Sequence, residues 1–240
     1  MNGPHPYDLA PDLLARALAA AERPDLLQHL VDTSRRIWGV YTRHFAYTIN
    51  YPWVAARLES LAKGSRVLDV GAGVTPLPLF LAERGLFVET VDPHSIVRTR
   101  VATADWNEWG FFDYGTLHPN LKSSNCAIAD FTATEGFDAI YSVSAITHLS
   151  RAVREDAIRR CHALLRSGGL LLLAVDLIPS TNFLWNYSAG REIETPERHG
   201  TIYDLLEQLS LLNFDITEAE GRRSVIESRT DLAFVAASRL

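Results

Sequence analysis

Residues 66–77 impose the tightest constraint on how this chain can fold. Arg66-Val67-Leu68-Asp69-Val70 is a short, largely apolar run, and Gly71-Ala72-Gly73 follows it without a break. A run so short and so apolar reads as a strand covered on both faces. Two glycines at its end let the backbone turn sharply and approach another group closely. Thr75 and Pro76 then open a helix, the threonine as cap and the proline in the first turn, where an N–H has no intrahelical partner. A strand, a glycine turn and a helix form the first half of a βαβ unit. The N-terminus of that helix favours polar or anionic groups. In open α/β sheets the binding crevice lies beyond the carboxyl ends of the strands, so the functional search starts at residues 69–73.

The same alternation continues along the chain. Gly85 closes the helix, and residues 86–91, 125–129 and 137–143 read as the second, third and fourth strands. Val153, Ala157, Ile158, Cys161, Leu164 and Leu165 mark one helix face, which stops at Gly168-Gly169. Residues 170–175 read as a fifth strand. Thr201, with Asp204 three residues on, predicts a capped helix, and residues 214–219 and 233–238 predict two last strands. Strands that alternate with helices imply a mostly parallel, doubly wound sheet with helices on both faces. Ahead of it, residues 1–62 read as a helical lead-in. One helix starts at Pro11 and is interrupted by Pro24, a second carries Leu26 to Tyr41, and a third runs from Pro52 to about residue 61. Residues 63–240 are expected to form the sheet domain.

Composition narrows the partners. The net charge is −6, which repels phosphate backbones and argues against nucleic acid. The two cysteines, Cys126 and Cys161, sit on apolar periodic segments, so buried free thiols are expected rather than a disulfide or a zinc site. The longest apolar run, residues 170–175, is far too short for a bilayer. No basic stretch leads into an apolar run at the start, so a cytoplasmic protein without a membrane partner is the expectation.

Two acids extend the glycine turn into a constellation. Asp92, followed by Pro93, ends the second strand nineteen residues after Gly73. A carboxylate there can accept hydrogen bonds from both hydroxyls of an adenosine ribose. Asp130-Phe131 is expected to end the third strand, where an acid can accept from an adenine amine and a ring can pack on the base. A nicotinamide-binding domain would want a third glycine where Pro76 stands, and rarely places an acid inside its first strand, as Asp69 is here.

On these residues the chain resembles class I S-adenosylmethionine-dependent methyltransferases, over roughly residues 63–240. The likeness rests on Leu68-Asp69-Val70-Gly71-Ala72-Gly73, Val91-Asp92, Ala129-Asp130-Phe131, residues 137–142, His148-Leu149 and residues 164–170. It implies an α/β, Rossmann-like, seven-stranded sheet whose last strand is antiparallel, with a helical N-terminal extension. It also implies S-adenosyl-L-methionine as cofactor and S-adenosyl-L-homocysteine as product. By the same likeness Asp69, Gly71, Ala72 and Gly73 would surround the methionine part, and Asp92 with Pro93 the ribose. Asp130 and Phe131 would hold the adenine. Tyr141, Ser142 and Val143 would face the methyl group.

Methyl transfer from a sulfonium is an in-line displacement in which the protein supplies alignment and a dry site. An oxygen acceptor usually needs a base, and His148 is the candidate, just past the fourth strand. Many relatives read Glu-His-Leu there, whereas this chain reads Thr147-His148-Leu149. The signatures of nucleobase amino-, base C5- and protein arginine methyltransferases are absent. Asp176 lacks the second acid that a catechol-type Mg²⁺ site needs. Aromatic residues crowd the lead-in (Trp38, Tyr41, His44, Phe45, Tyr47, Tyr51), residues 93–129 (Trp106, Trp109, Phe111, Phe112, Tyr114) and residues 177–200 (Phe183, Trp185, Tyr187). Tyr47, Trp109, Tyr114 and Trp185 are the candidates for a pocket around a small organic acceptor, although the same rings suit core packing or a homodimer contact. The expected function is O-methylation of a natural product or saccharide. The alternatives are N-methylation, a non-catalytic cofactor-binding module and an NAD-dependent oxidoreductase.

Overall fold

The computed structural model describes residues 5–97, 108–185, 187–188, 191–192, 196–222 and 230–240. Trp106 lies outside them. The lead-in forms α1 (Pro11–Ala20), α2 (Pro24–Trp38) and α3 (Tyr47–Leu58). Pro24 starts α2 as its first helical residue, and Gly39, at φ 76°, ends it in the left-handed conformation that glycine tolerates. α3 begins five residues before Pro52, which lies inside the helix rather than at its start. The lost backbone bond is offset by burial of Tyr51, Trp53, Val54 and Leu58 on both sides of the proline.

The sheet follows as β1 (Arg66–Val70), α4 (Leu77–Glu83), β2 (Phe87–Val91), β3 (Leu121–Ser124), β4 (Phe137–Val143), α5 (Arg151–Leu164) and β5 (Leu165–Leu177). A two-residue pair, β6 (Tyr187–Ser188) and β7 (Arg191–Glu192), and a single turn, α6 (Pro196–His199), lead to α7 (Ile202–Leu211), β8 (Phe214–Arg222) and β9 (Asp231–Arg239). Thr201 caps α7 in a full capping box with Asp204, as the spacing predicts. The seven strands order as β3-β2-β1-β4-β5-β9-β8. β1 to β5 pair in parallel, and β9 enters antiparallel between β5 and β8. This is the doubly wound sheet with an antiparallel last strand that the sequence implies. The order reverses between β1 and β4, which puts the crevice above those two strands.

Alternating residues divide each strand between two cores. Val67, Val88, Ala139, Tyr141, Leu172 and Phe234 pack with α1 to α4, whereas Leu68, Ile140, Leu171, Val175 and Val235 pack with α5 and α7. The lead-in therefore supplies one of the two helical layers and shares its core with the sheet. Among the described residues no helix is long and apolar enough to cross a membrane.

The third strand departs from the reading of the sequence. It is Leu121–Ser124, and residues 125–129 lie in the segment that follows. Lys122, Ser123 and Ser124 hide the strand because they are polar. Ser123 is satisfied by Thr90 Oγ1 at 2.9 Å and by the Tyr114 N–H at 2.9 Å. The apolar Ile128 is buried in the core from a turn instead. Cys161 is buried as expected, but Cys126 is only half-buried, beyond the strand.

Candidate active site

The turn after β1 is built from the protein's own close contacts. Gly71 and Gly73 have φ of 75° and 54°, a region that side chains disfavour. A Cβ on Gly71 would overlap the Ala145 methyl, and one on Gly73 would stand 2.8 Å from the Glu108 carbonyl oxygen. The glycines thus admit protein segments, and Val74 N–H donates to that same Glu108 carbonyl at 2.8 Å. Ala72 is buried in the turn. Asp92 closes it from the tip of β2: Oδ2 accepts from Gly73 N–H at 2.9 Å, and Oδ1 accepts from His94 N–H at 2.8 Å and from His94 Nδ1 at 2.7 Å. Pro93 beside it is exposed. On β4, Ser142 Oγ donates to the Val70 carbonyl at 2.8 Å and locks the switch point, and Val143 is half-buried above it.

Asp69 pairs in register with Tyr141 on the face that packs against the lead-in. Burial pushes its carboxyl up to about 8, the Tyr141 hydroxyl opposes that rise, and the charge of Asp92 adds to it. Folding thus holds a proton that the unfolded chain releases above its ordinary value near 4. The unfolded state gains from ionisation as pH rises from there towards 8, so stability falls across that window. The Asp69→Asn protein is expected to melt above the wild type at about pH 8 and together with it at about pH 4. Thermal scans at the two pH values check this, and equal melting at both would remove the buried-acid assignment.

Several residues singled out in the sequence stand elsewhere than expected. Tyr114 is fully buried: its hydroxyl accepts from Thr75 N–H at 2.7 Å and lies 3.0 Å from the Gly73 carbonyl, with Trp38 and Phe112 edge-on to its ring. It staples the glycine turn and has no face for an acceptor. Asp130 is exposed, six residues past the end of β3. Phe131 is buried against Phe137, ring centroids 6.3 Å apart, and its carbonyl takes the Arg160 guanidinium. Neither is at a strand tip, because β3 ends at Ser124. Asn125 stands there instead, its amide donating to the carbonyls of Asp92 and His94 at 2.8 Å each.

His148 is on the carboxyl side of β4, half-buried, in a 3-10 turn (Ile146–His148). Burial, helped by the nearby His199 and His94, pushes its imidazole down to about 4. It is neutral at physiological pH, but so weak an affinity for protons makes it a poor base. Thr147 beside it places its hydroxyl 3.0 Å from the Asp176 carbonyl and 3.1 Å from the Trp185 carbonyl. Trp185 is thereby fixed by its backbone, half-buried, over the end of β5.

A polar cluster joins the lead-in to the strand tips. Asn50 of α3 is fully buried, its amide donating to Ser144 Oγ at 3.3 Å and its Oδ1 lacking a partner. Ser144, just past β4, holds φ 53° without being glycine, the kind of backbone strain that clusters at functional sites. Ser144 also acts on the proton affinities of Asp176 and Tyr47, lowering both. Burial pushes the Asp176 carboxyl up to about 6, against the pull of Ser144 and His44. Tyr47 is stacked on Tyr51, centroids 4.8 Å apart at 12°. Trp109 is 40% exposed and stacks on His44 at 5.9 Å. His44 Nε2 is 2.7 Å from Glu108 Oε1, and Thr42 Oγ1 donates to the other Glu108 oxygen at 2.7 Å. Of the expected acceptor residues, Tyr47 and Trp109 meet in this cluster. Glu108, Asn50 and Ser144 carry no signal in the sequence, since each gains its partner only from a distant segment.

A family model described as a methyltransferase domain matches residues 41–219. A protein of Staphylococcus carnosus (strain TM300), described as an uncharacterized methyltransferase, is 32% identical over 126 residues, 52% of this chain and 54% of that one. The match thus spans about half the length of that curated relative. The 1,6-didemethyltoxoflavin-N1-methyltransferase of Burkholderia thailandensis, solved with 1,6-didemethyltoxoflavin and S-adenosylhomocysteine, has a TM-score of 0.57 at 17% identity, covering 100% of this chain and 93% of its own. Magnesium protoporphyrin IX methyltransferase of Synechocystis PCC 6803, solved with S-adenosylmethionine, has 0.54 at 14%, covering 95% and 90%. The [4+2]-cyclase SpnF has 0.58 at 17%, covering 97% and 98%. At these identities the likeness is one of fold.

Proposed function

From the premise that this chain belongs to the methyltransferase-domain family, we propose that it binds S-adenosylmethionine at the tips of β1 and β2 and methylates a small organic acceptor, at oxygen rather than nitrogen. The observation that carries the reading is Asp92, a buried carboxylate at the tip of β2 beside the order reversal. The residues present fit the cofactor. A carboxylate offers about four lone-pair sites, and three internal donors leave Asp92 room for a ribose hydroxyl. Asp69, beside the turn, suits a cationic group, whose charge favours its ionised form. When bound, the cofactor supplies an activated methyl group, and the chain's own part is to orient it and keep water out. Oxygen is favoured as acceptor atom because His44, Glu108 and Asp176 gather at the strand tips, and an oxygen nucleophile needs proton removal.

The likeness to a protein described as a [4+2]-cyclase favours a second reading, in which the fold catalyses a reaction other than methyl transfer. Calorimetric titration with S-adenosylmethionine, S-adenosylhomocysteine and NAD tests the first reading. Micromolar binding of the first two and none of NAD is the expected result, and binding of NAD alone overturns it. Methyl transfer from labelled cofactor to any small acceptor separates the two readings.

His94 bears on the affinity. Its exposed ring occupies Asp92 Oδ1, and that bond raises the imidazole above its ordinary value. Beyond the one free lone pair, a second ribose hydroxyl can take that oxygen only if the ring and its extra proton affinity are released. Cofactor affinity is therefore expected to rise with pH across the raised titration and then level off. The His94→Ala protein should bind severalfold more tightly below that window and lose the pH dependence. Affinities across the pH range check this, and an unchanged slope in the variant removes the role of His94.

A further inference from the structure

We propose that His44, oriented by Glu108, is the base that deprotonates the acceptor, and that the acceptor is a hydroxylated aromatic ring seated beside Trp109 and Tyr47. The inference rests on the cofactor reading above and adds to it the substrate class and the proton's destination.

The tautomer follows from the partner. A buried carboxylate only accepts, so Nε2 of His44, 2.7 Å from Glu108 Oε1, carries the proton. Nδ1 is then the lone-pair nitrogen, and among the described residues no donor meets it. The ring is 37% exposed whereas its partner is 7% exposed, which is the arrangement of a base held from behind. Glu108 cannot swing away: Thr42 Oγ1 holds its second oxygen, and its carbonyl is pinned to Val74 N–H directly over Gly73. That contact ties His44 to the turn after β1, where the cofactor would sit. Trp109 stacks near parallel on His44 at 29° and stays 40% exposed, and Tyr47 meets the same ring edge-on at 71°. Such walls suit a planar ring rather than an alkyl amine. In the same cluster Asn50 Oδ1 is buried without a partner, a polar atom that the protein itself leaves unsatisfied.

In the reaction the acceptor's hydroxyl proton passes to His44 Nδ1, and the oxygen keeps the electron pair. With the cofactor bound, that pair would form the new bond to the methyl carbon as the carbon–sulfur bond breaks, its electron pair leaving with a neutral thioether product. The imidazolium then returns its proton to solvent. Glu108 touches neither reactant and is a positioning residue.

The test uses 4-nitrophenol added to protein loaded with S-adenosylhomocysteine, at a pH below the phenol's own ionisation. Binding to the wild type is expected to bring up the phenolate absorption band. His44→Gln should bind the phenol but lose most of the band, and Glu108→Gln should fall between. With catechol and labelled S-adenosylmethionine, His44→Gln should lower kcat roughly 10²-fold at unchanged KM for the cofactor. Phenol bound without the band in the wild type, full kcat in His44→Gln, or no phenol binding and no catechol methylation by protein that binds the homocysteine product would each overturn the proposal. Protein that binds no S-adenosylhomocysteine would instead overturn the cofactor reading beneath it.

Discussion

Asp92→Ala is expected to weaken S-adenosylmethionine binding roughly 10- to 100-fold, the scale of about 1–3 kcal/mol for lost hydrogen bonds to a charged group. The carboxylate has two tasks. It holds Gly73 N–H at 2.9 Å, and it would offer its remaining lone pair to the ribose. Asp92→Asn separates them, because its amide oxygen can still accept from Gly73 while one ribose acceptor is lost. An Asn variant that folds as the wild type and binds about tenfold more weakly would isolate the ribose contact. Wild-type affinity in both variants, read by calorimetry, would place the ribose elsewhere.

Gly73→Ala should lower folding stability by about 2–4 kcal/mol, from two sources of comparable size. One is the left-handed backbone at φ 54°. The other is the Glu108 carbonyl, 2.8 Å from the added methyl, which must withdraw and give up its bond to Val74. Gly64 provides the control. It holds φ 86° with nothing within 4 Å of an added Cβ, so Gly64→Ala should lose only the backbone part. Urea midpoints of the two variants decide it: equal losses would mean that the Glu108 contact contributes nothing. A larger loss at Gly73 should come with weaker function of His44, since the same movement carries Glu108 away from it.

Most of what the sequence reveals is local. The run into Gly71 and Gly73, the Thr201–Asp204 cap and the acid at the end of β2 are each legible within a few residues, because strand burial, turn geometry and capping depend on near neighbours. The third strand escapes that logic. Its residues are polar, with Ser123 satisfied by Tyr114 and Thr90 from other segments, so periodicity favours the apolar stretch after it. From that slip Asp130 and Phe131 are read as ending a strand that they do not adjoin.

Aromatic residues divide along the same line. Composition marks Tyr47, Trp109, Tyr114 and Trp185 alike, and only packing distinguishes them. Tyr114 sinks fully into the core to hold the glycine turn, whereas Trp109 keeps 40% of its surface exposed.

Chain order and side-chain periodicity are sufficient to specify a doubly wound α/β sheet, its order of helices and strands, and an acid-lined glycine turn, because these follow from backbone sterics and from burying alternate residues. Proton affinity and pairing are decided in three dimensions. Burial weakens His148 as a base, and a carboxylate 64 residues along the chain orients His44. Desolvation and charge act through space over a few ångströms, and only the fold sets those distances.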